Sequence, residues 1–265
     1  MSDPVIELLE SVWDSIAGLG ADLSDEQWDT PTECPGWSVR DQVSHIIGTE
    51  LMLAGMKTEP PAGEGGLNDI AAFNEAQIAP RRSRPGPEVL AEMVDICGRR
   101  LEMLRIMPAE KWDEMGFTPI GKAPYRTFMH IRVFDCWAHE QDMRRALDIP
   151  GHLSGPVVQH CLDWHARNMG FVVGKKAGAP EGSNVVFDID GDAGSPRGVA
   201  VIDGRAKPSA PAPHPTVTVH TDVDTYNALC CGRIDPGAAL AAGLVTVGGD
   251  TELGKQIVLS LPYVS

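Results

Sequence analysis

Two residues on one predicted helix could bind a metal ion together. Asp135 and His139 are four positions apart within a helical pattern that runs from about Thr127 to Leu147, and side chains at this spacing lie on the same face of a helix. A carboxylate oxygen and an imidazole nitrogen are common zinc ligands. The same pair is also consistent with an ordinary stabilising ion pair, so the spacing leaves both interpretations open.

A third candidate ligand, His45, lies on a helix predicted to begin at Ser38. His45 sits beside the apolar stripe of this helix, on a small and polar face that could line a cavity. A single helical histidine is more often a surface or core residue than a ligand. With Asp135 and His139, however, it would form a set of two histidines and one carboxylate with open coordination positions. Such a set fits catalytic zinc, with nickel, iron and manganese as alternatives.

The chain is acidic. Its 265 residues include 22 Lys+Arg and 37 Asp+Glu, which gives a formal net charge of −15. A surface of this charge repels phosphate backbones and anionic membranes, so neither nucleic acid nor a membrane is expected as a partner. A small anionic substrate would need a local positive group, such as a metal ion, to hold it.

Cysteine usage and the chain start indicate the compartment. Six cysteines are scattered without a CxxC pair, and reduced thiols are the simplest interpretation. The first residues lack the basic start of a signal peptide, and no apolar run approaches 18 residues. These features predict a cytoplasmic protein. Nothing in the sequence argues for an assembly beyond a monomer or weak homodimer.

The periodicity of apolar residues changes near Gly178. Before it the pattern is helical, interrupted by a Pro/Gly-rich loop at 59–66, with a helix resuming at 67–78. After it, β-branched runs at 185–189, 199–203 and 216–220 predict strands, and 208–215 predicts a loop. We therefore expect an α+β protein with a helical domain at 1–178 and a smaller α/β domain at 179–265.

Two segments resemble one known family. Residues 28–45 read WDTPTECPGWSVRDQVSH and resemble the first-ligand segment of the mycothiol-dependent maleylpyruvate isomerase family. Residues 135–147, DCWAHEQDMRRAL, resemble its second motif, where a carboxylate and a histidine four residues later complete the site. Residues 243–250, GLVTVGGD, with the helix after them, resemble the sterol-carrier-like domain often appended in this family. The resemblance implies a DinB-like up-down-down-up four-helix bundle followed by a small sterol-carrier-like α/β domain.

The resemblance also implies a function. It predicts a metal-dependent enzyme, most simply with zinc, that uses the low-molecular-weight thiol mycothiol as cosubstrate. The thiolate would serve in cis–trans isomerisation of a maleylpyruvate-type dicarboxylate, or in S-transfer to another small electrophile. A basic residue of the C-terminal domain is implied to act on the substrate. Arg233 and Lys255 are the candidates, with an ordinary surface charge as the competing interpretation of each.

One departure from the family pattern concerns Asp135, because the family usually has glutamate there. An aspartate would draw the metal toward the helix or hold it through water, and Asp142 is a substitute ligand. Two other functions compete with the enzyme. One is a non-catalytic small-molecule or lipid-binding protein with a structural or vestigial metal site. The other is a purely structural bundle, in which Asp135 and His139 form a salt bridge.

Overall fold

The computed structural model describes residues 3–56 and 70–264. The predicted loop at 59–66, and the start of the helix predicted from 67, lie outside the described residues. Contacts divide the chain into two compact units, Met1–Gly151 and His152–Ser265.

The first unit is built from helices. Its described helices are α1 (Val5–Gly20), α2 (Asp25–Trp28), α3 (Val39–Leu53), α4 (Ile70–Ile78), α5 (Gly86–Arg105), α6 (Ala109–Trp112) and α7 (Tyr125–Leu147). The four long helices form a bundle, in which α1 and α3 each pack against both α5 and α7. A two-stranded antiparallel hairpin, β1 (Met115–Thr118) and β2 (Gly121–Pro124), directly precedes α7.

Local sequence signals fix where α3 begins and where α7 ends. Ser38 caps α3 by accepting a hydrogen bond from the Asp41 amide, and Asp41 returns a bond to the Ser38 amide. Asp148 caps the C-terminus of α7 and has a positive φ of 53°. Aspartate is one of the few non-glycine residues that adopts this left-handed conformation readily. These signals set the two helices from which the candidate metal ligands project.

A glycine allows one close packing contact of the bundle. Gly86 begins α5 against the indole ring of Trp28, which is fully buried. A Cβ atom at Gly86 would lie 2.1 Å from Trp28 Cγ. Only a residue without a side chain fits there.

The second unit combines helices with one five-stranded sheet of order β5-β4-β3-β6-β7. Its strands are β3 (Asn184–Asp190), β4 (Arg197–Ile202), β5 (Arg205–Ser209), β6 (Val217–Asp222) and β7 (Thr246–Gly249). Strands β3 and β6 pair in parallel, whereas the other neighbours pair antiparallel. Its helices are α8 (Pro156–Gly170), which continues as a π-helix over Phe171–Lys176, α9 (Val223–Cys230), α10 (Pro236–Ala242) and α11 (Thr251–Leu259).

The expected α+β class, with a helical N-terminal part and a sheet-containing C-terminal part, is confirmed. Helix α8, which the sequence pattern groups with the bundle, packs against β4 and β5 of the sheet. The domain boundary at 178 stays a prediction.

Strand β5 differs from the expectation, because the sequence pattern predicts a loop from Pro208. The strand tolerates Pro208 because it lies at the edge of the sheet, where one side of the backbone has no ladder partner. All six cysteines, which lie among the described residues, are free thiols. Across residues 3–56 and 70–264, no helix is both long and apolar enough to cross a membrane.

Candidate metal centre

Helices α3 and α7 bring His45, Asp135 and His139 together. One potential ligand atom from each residue lies within 4.8 Å of the other two. His45 Nε2 is 3.5 Å from Asp135 Oδ2, and His139 Nε2 is 3.6 Å from Asp135 Oδ1. Two histidines separated by more than ninety positions in sequence therefore direct the same ring nitrogen toward one carboxylate.

The donor set and its spacing fit one divalent cation. Ligand bonds of about 2.1 Å at a tetrahedral angle would separate two ligand atoms by about 3.4 Å. The two histidine–aspartate distances, 3.5 and 3.6 Å, are close to this value. Two imidazoles and one carboxylate also form a donor set typical of catalytic zinc sites, with a further position left for an exogenous ligand.

Trp37, from the CPGW segment that precedes α3, forms one wall of the site. Its ring lies 5.1 Å from the His45 ring and 5.5 Å from the His139 ring, between centroids. The planes of Trp37 and His139 are stacked at 27°. The half-buried indole therefore limits the movement of both imidazoles.

Asp142 lies behind His139. Its Oδ2 is 3.6 Å from His139 Nδ1, the ring nitrogen opposite the one that faces Asp135. Arg145 donates to Asp142 Oδ1 at 2.6 Å and to Glu33 Oε2 at 2.5 Å, which links α7 to the residue directly before the CPGW segment. A carboxylate behind a ligand histidine orients the ring and fixes its tautomer. This position suits an outer partner of the site rather than the substitute ligand expected from the sequence.

Arg132 contacts Asp135 from the other side. Its Nη1 donates to Asp135 Oδ2, and its Nε donates to Glu50 Oε1 at 2.8 Å. Glu50 also accepts a bond of 2.9 Å from Arg100 Nε. Neither Glu50 nor Arg100 is among the residues expected from the sequence. A signal was present, since Glu50 follows Ile46 and Ile47 at helical spacing on the buried face of α3.

The charges around the site shift its pKa values in different directions. Burial would raise the pKa of Asp135, but Arg132 and the two histidines hold it well below its usual range. Burial lowers the pKa of His45, and the Asp135 carboxylate only partly offsets this. Burial also acts to lower the pKa of His139, but Asp135 and then Asp142 raise it to about 8. The carboxylate is therefore ionised at neutral pH, as a metal ligand must be.

The two basic residues expected from the sequence lie in the second unit. Arg233 follows α9, is half-buried and donates to the Cys231 carbonyl at 3.2 Å. Lys255 is an exposed residue of α11, and its Nζ is 3.1 Å from Glu252 Oε1. A role of either residue in acting on substrate stays a prediction.

The first unit therefore belongs to a class of helical bundles that carry a candidate metal site, here two histidines and one aspartate on two of the long helices. The sequence model for the mycothiol maleylpyruvate isomerase N-terminal domain matches residues 9–144, which include His45, Asp135 and His139. The chain belongs to this family.

Solved structures show the same fold over most of the chain. A crystal structure of the mycothiol-dependent maleylpyruvate isomerase superposes with a TM-score of 0.58 at 16% sequence identity, covering 92% of this chain and 91% of that chain. A histidine-to-alanine mutant of that isomerase gives a TM-score of 0.56 over the same shares at 16% identity.

Two proteins of Mycobacterium tuberculosis are similar in sequence. The uncharacterized protein Rv0036c is 26% identical over 156 residues, which cover 55% of this chain and 57% of the relative. The uncharacterized protein Rv0738 is 24% identical over 136 residues, covering 50% of this chain and 62% of the relative. The chain thus spans less than two thirds of the length of these curated relatives.

Proposed function

We propose that the chain is a metal-dependent enzyme that uses mycothiol, either as a maleylpyruvate-type cis–trans isomerase or as a thiol S-transferase. The observation that carries this proposal is the convergence of His45 Nε2, His139 Nε2 and the Asp135 carboxylate in a member of this family. A simple ion pair between Asp135 and His139 would not require His45, from another helix, to face the same carboxylate.

The three clustered side chains would hold the metal, which we propose to be zinc. When bound, the ion would lower the pKa of a coordinated thiol, so that a thiolate is available at neutral pH. The chain's own residues prepare the site. Asp142 lies 3.6 Å from His139 Nδ1 as an ion-pair partner, and Trp37 packs on both imidazole rings. Neither contact uses the nitrogen that faces Asp135.

The substrate would be a small electrophile, and a dicarboxylate fits best with a local positive centre in an otherwise acidic chain. Arg233 and Lys255 are proposed as the basic residues that act on it. Their present contacts, to a main-chain carbonyl and to Glu252, equally fit structural roles. The proposal places the protein in the cytoplasm, as a monomer or weak homodimer, without nucleic-acid or membrane partners.

The test combines metal analysis with thiol-dependent turnover on the same sample. We expect about one zinc per chain, and turnover of maleylpyruvate or a haloarene only when mycothiol is added. His45→Ala should lose both zinc and turnover, whereas His214→Ala, at an exposed histidine of the second unit, should keep both. Equal zinc in the two variants would refute the metal centre.

A lipid extraction followed by mass spectrometry separates the enzyme from the non-catalytic alternative. The enzyme should carry no stoichiometric lipid. Bound acyl chains together with no thiol-dependent turnover would instead support a lipid-binding protein with a vestigial metal site.

A further inference from the structure

Arg132 connects the candidate metal centre to a buried ion-pair network. Its side chain is 2% exposed, and its guanidinium contacts Asp135 Oδ2 through Nη1 and Glu50 Oε1 through Nε. Asp135 Oδ2 is also the oxygen that faces His45, while Oδ1 faces His139. A planar guanidinium bonded to one oxygen restricts rotation of the carboxylate.

On the side away from Asp135, the network continues from Glu50 to Arg100. Arg100 is 1% exposed, and its Nε donates to Glu50 Oε2 at 2.9 Å. Each oxygen of Glu50 thus accepts from a different arginine. Arg100 also donates to the hydroxyl of Tyr125 at 2.7 Å. Because the two arginines bond different oxygens of Glu50, removal of Arg100 leaves the bond between Arg132 Nε and Glu50 Oε1 in place.

We propose that Arg132 is a positioning residue of the metal centre. By bridging Glu50 and Asp135, it holds the short aspartate side chain with one oxygen toward each histidine. The inference rests on the proposed function, since it assumes that the cluster binds a metal. Burial alone does not give an arginine this role. Arg100 is as buried as Arg132, but only Arg132 contacts Asp135.

Arg100 therefore supplies a matched control. Arg132→Gln and Arg100→Gln each remove one arginine from Glu50 at similar burial, but only the first removes a partner of Asp135. Cobalt(II) is the probe, and both its affinity and the visible absorption spectrum of the loaded protein are measured. Loss of an outer partner costs a metal site about 10–100-fold in affinity. We expect this loss and an altered spectrum for Arg132→Gln, with both properties close to the unmodified protein for Arg100→Gln.

Lysine variants keep the test decisive if the glutamine variants do not fold. Lysine carries a single point charge and cannot form the fork that joins two carboxylates. Arg132→Lys should therefore bind cobalt with intermediate affinity, while Arg100→Lys should match the unmodified protein. Equal losses in the Arg132 and Arg100 variants, or tighter binding in the Arg132 variants, would overturn the inference alone. Failure of the unmodified protein to bind cobalt would overturn the proposed metal centre as well.

Discussion

The indole ring of Trp37 stacks on the imidazole of His139, with centroids 5.5 Å apart and planes inclined by 27°. The same indole contacts His45, so one aromatic side chain lies against both histidines of the cluster. The indole packs against the imidazoles. Its fluorescence should therefore respond to a metal ion that the two histidines bind.

This contact predicts a fluorescence signal. Cobalt(II) bound by the two histidines would lie within a few ångströms of the indole and quench its emission. In Trp37→Phe, the fractional quenching on titration with cobalt should fall strongly, because Trp37 lies against both ligand rings. Trp164→Phe, in α8 of the second unit, is the control and should quench as fully as the unmodified protein. Unchanged quenching in Trp37→Phe would place the metal elsewhere.

Asp135→Asn should abolish tight metal binding. The substitution keeps the shape of the side chain but removes the charge that both histidines face. Outer partners are worth about 10–100-fold in affinity, so removal of a ligand charge should cost at least about 100-fold.

Calorimetric titration with zinc measures this loss. Asp148→Asn removes the same charge from the exposed end of α7, where asparagine also accepts the positive φ of 53°. It should bind zinc as the unmodified protein does. If Asp135→Asn also kept its affinity for zinc, the carboxylate would not be a ligand. The result would then favour a simple salt bridge between Asp135 and His139.

The packing of Gly86 against Trp28 predicts opposite effects of two identical substitutions on α5. Gly86→Ala would place a methyl group 2.1 Å from Trp28 Cγ and should lower the free energy of unfolding by about 1–3 kcal/mol. Gly98→Ala meets no atom within 4 Å. It should raise stability by about 0.5–1 kcal/mol, through better helix propensity. Thermal unfolding of the two variants tests this, and a loss of stability in both would refute it.

His165 predicts a pH dependence of stability in the second unit. Its Nε2 is 3.1 Å from Asn227 Oδ1 and its Nδ1 is 2.8 Å from the Tyr263 hydroxyl. Burial lowers its pKa from 6.5 to about 4, only partly offset by Asn227. As pH falls below 6.5, His165 becomes protonated in the unfolded chain but stays neutral in the folded protein. Stability is therefore lost between pH 6.5 and about 4, by up to about 3 kcal/mol from this group.

Urea denaturation across that pH window provides the measurement. His165→Gln should be less sensitive to acid than the unmodified protein, whatever its stability at pH 7. His214→Gln, at an exposed histidine, should keep the full acid sensitivity. The same pH slope in all three proteins would exclude His165 as its source.

The sequence was sufficient to find the three clustered residues, because helical spacing and two short motifs are local properties. Asp135 and His139 share one helix face, and the capping signal at Ser38 fixes the start of the helix that carries His45. The partners of these residues were harder to find. Glu50, Arg132 and Arg100 become a network only when three helices pack, and charged residues on single helices resemble surface positions.

The sheet shows the same limit. The strands of the parallel pair, β3 and β6, were expected from their β-branched runs, whereas β5 contains a proline and reads as a loop. The hairpin of β1 and β2 was also missed, since its strands are only four residues long and β2 begins at Gly121, which has a φ of 101°. Short strands are stabilised by what they pair with, and sequence periodicity does not report pairing.

The two outer strands of the sheet have a consequence for how the protein behaves at high concentration. An exposed strand edge is a template on which another molecule can add a strand and start aggregation. Here β5 is five residues long, with Lys207 and Pro208 exposed, and β7 is four residues long and ends in Gly248 and Gly249. A short edge with a lysine and a proline is a poor template, and so is one that ends in glycines. Pro208, the residue that made the sequence pattern predict a loop in place of β5, thus protects the sheet from self-association.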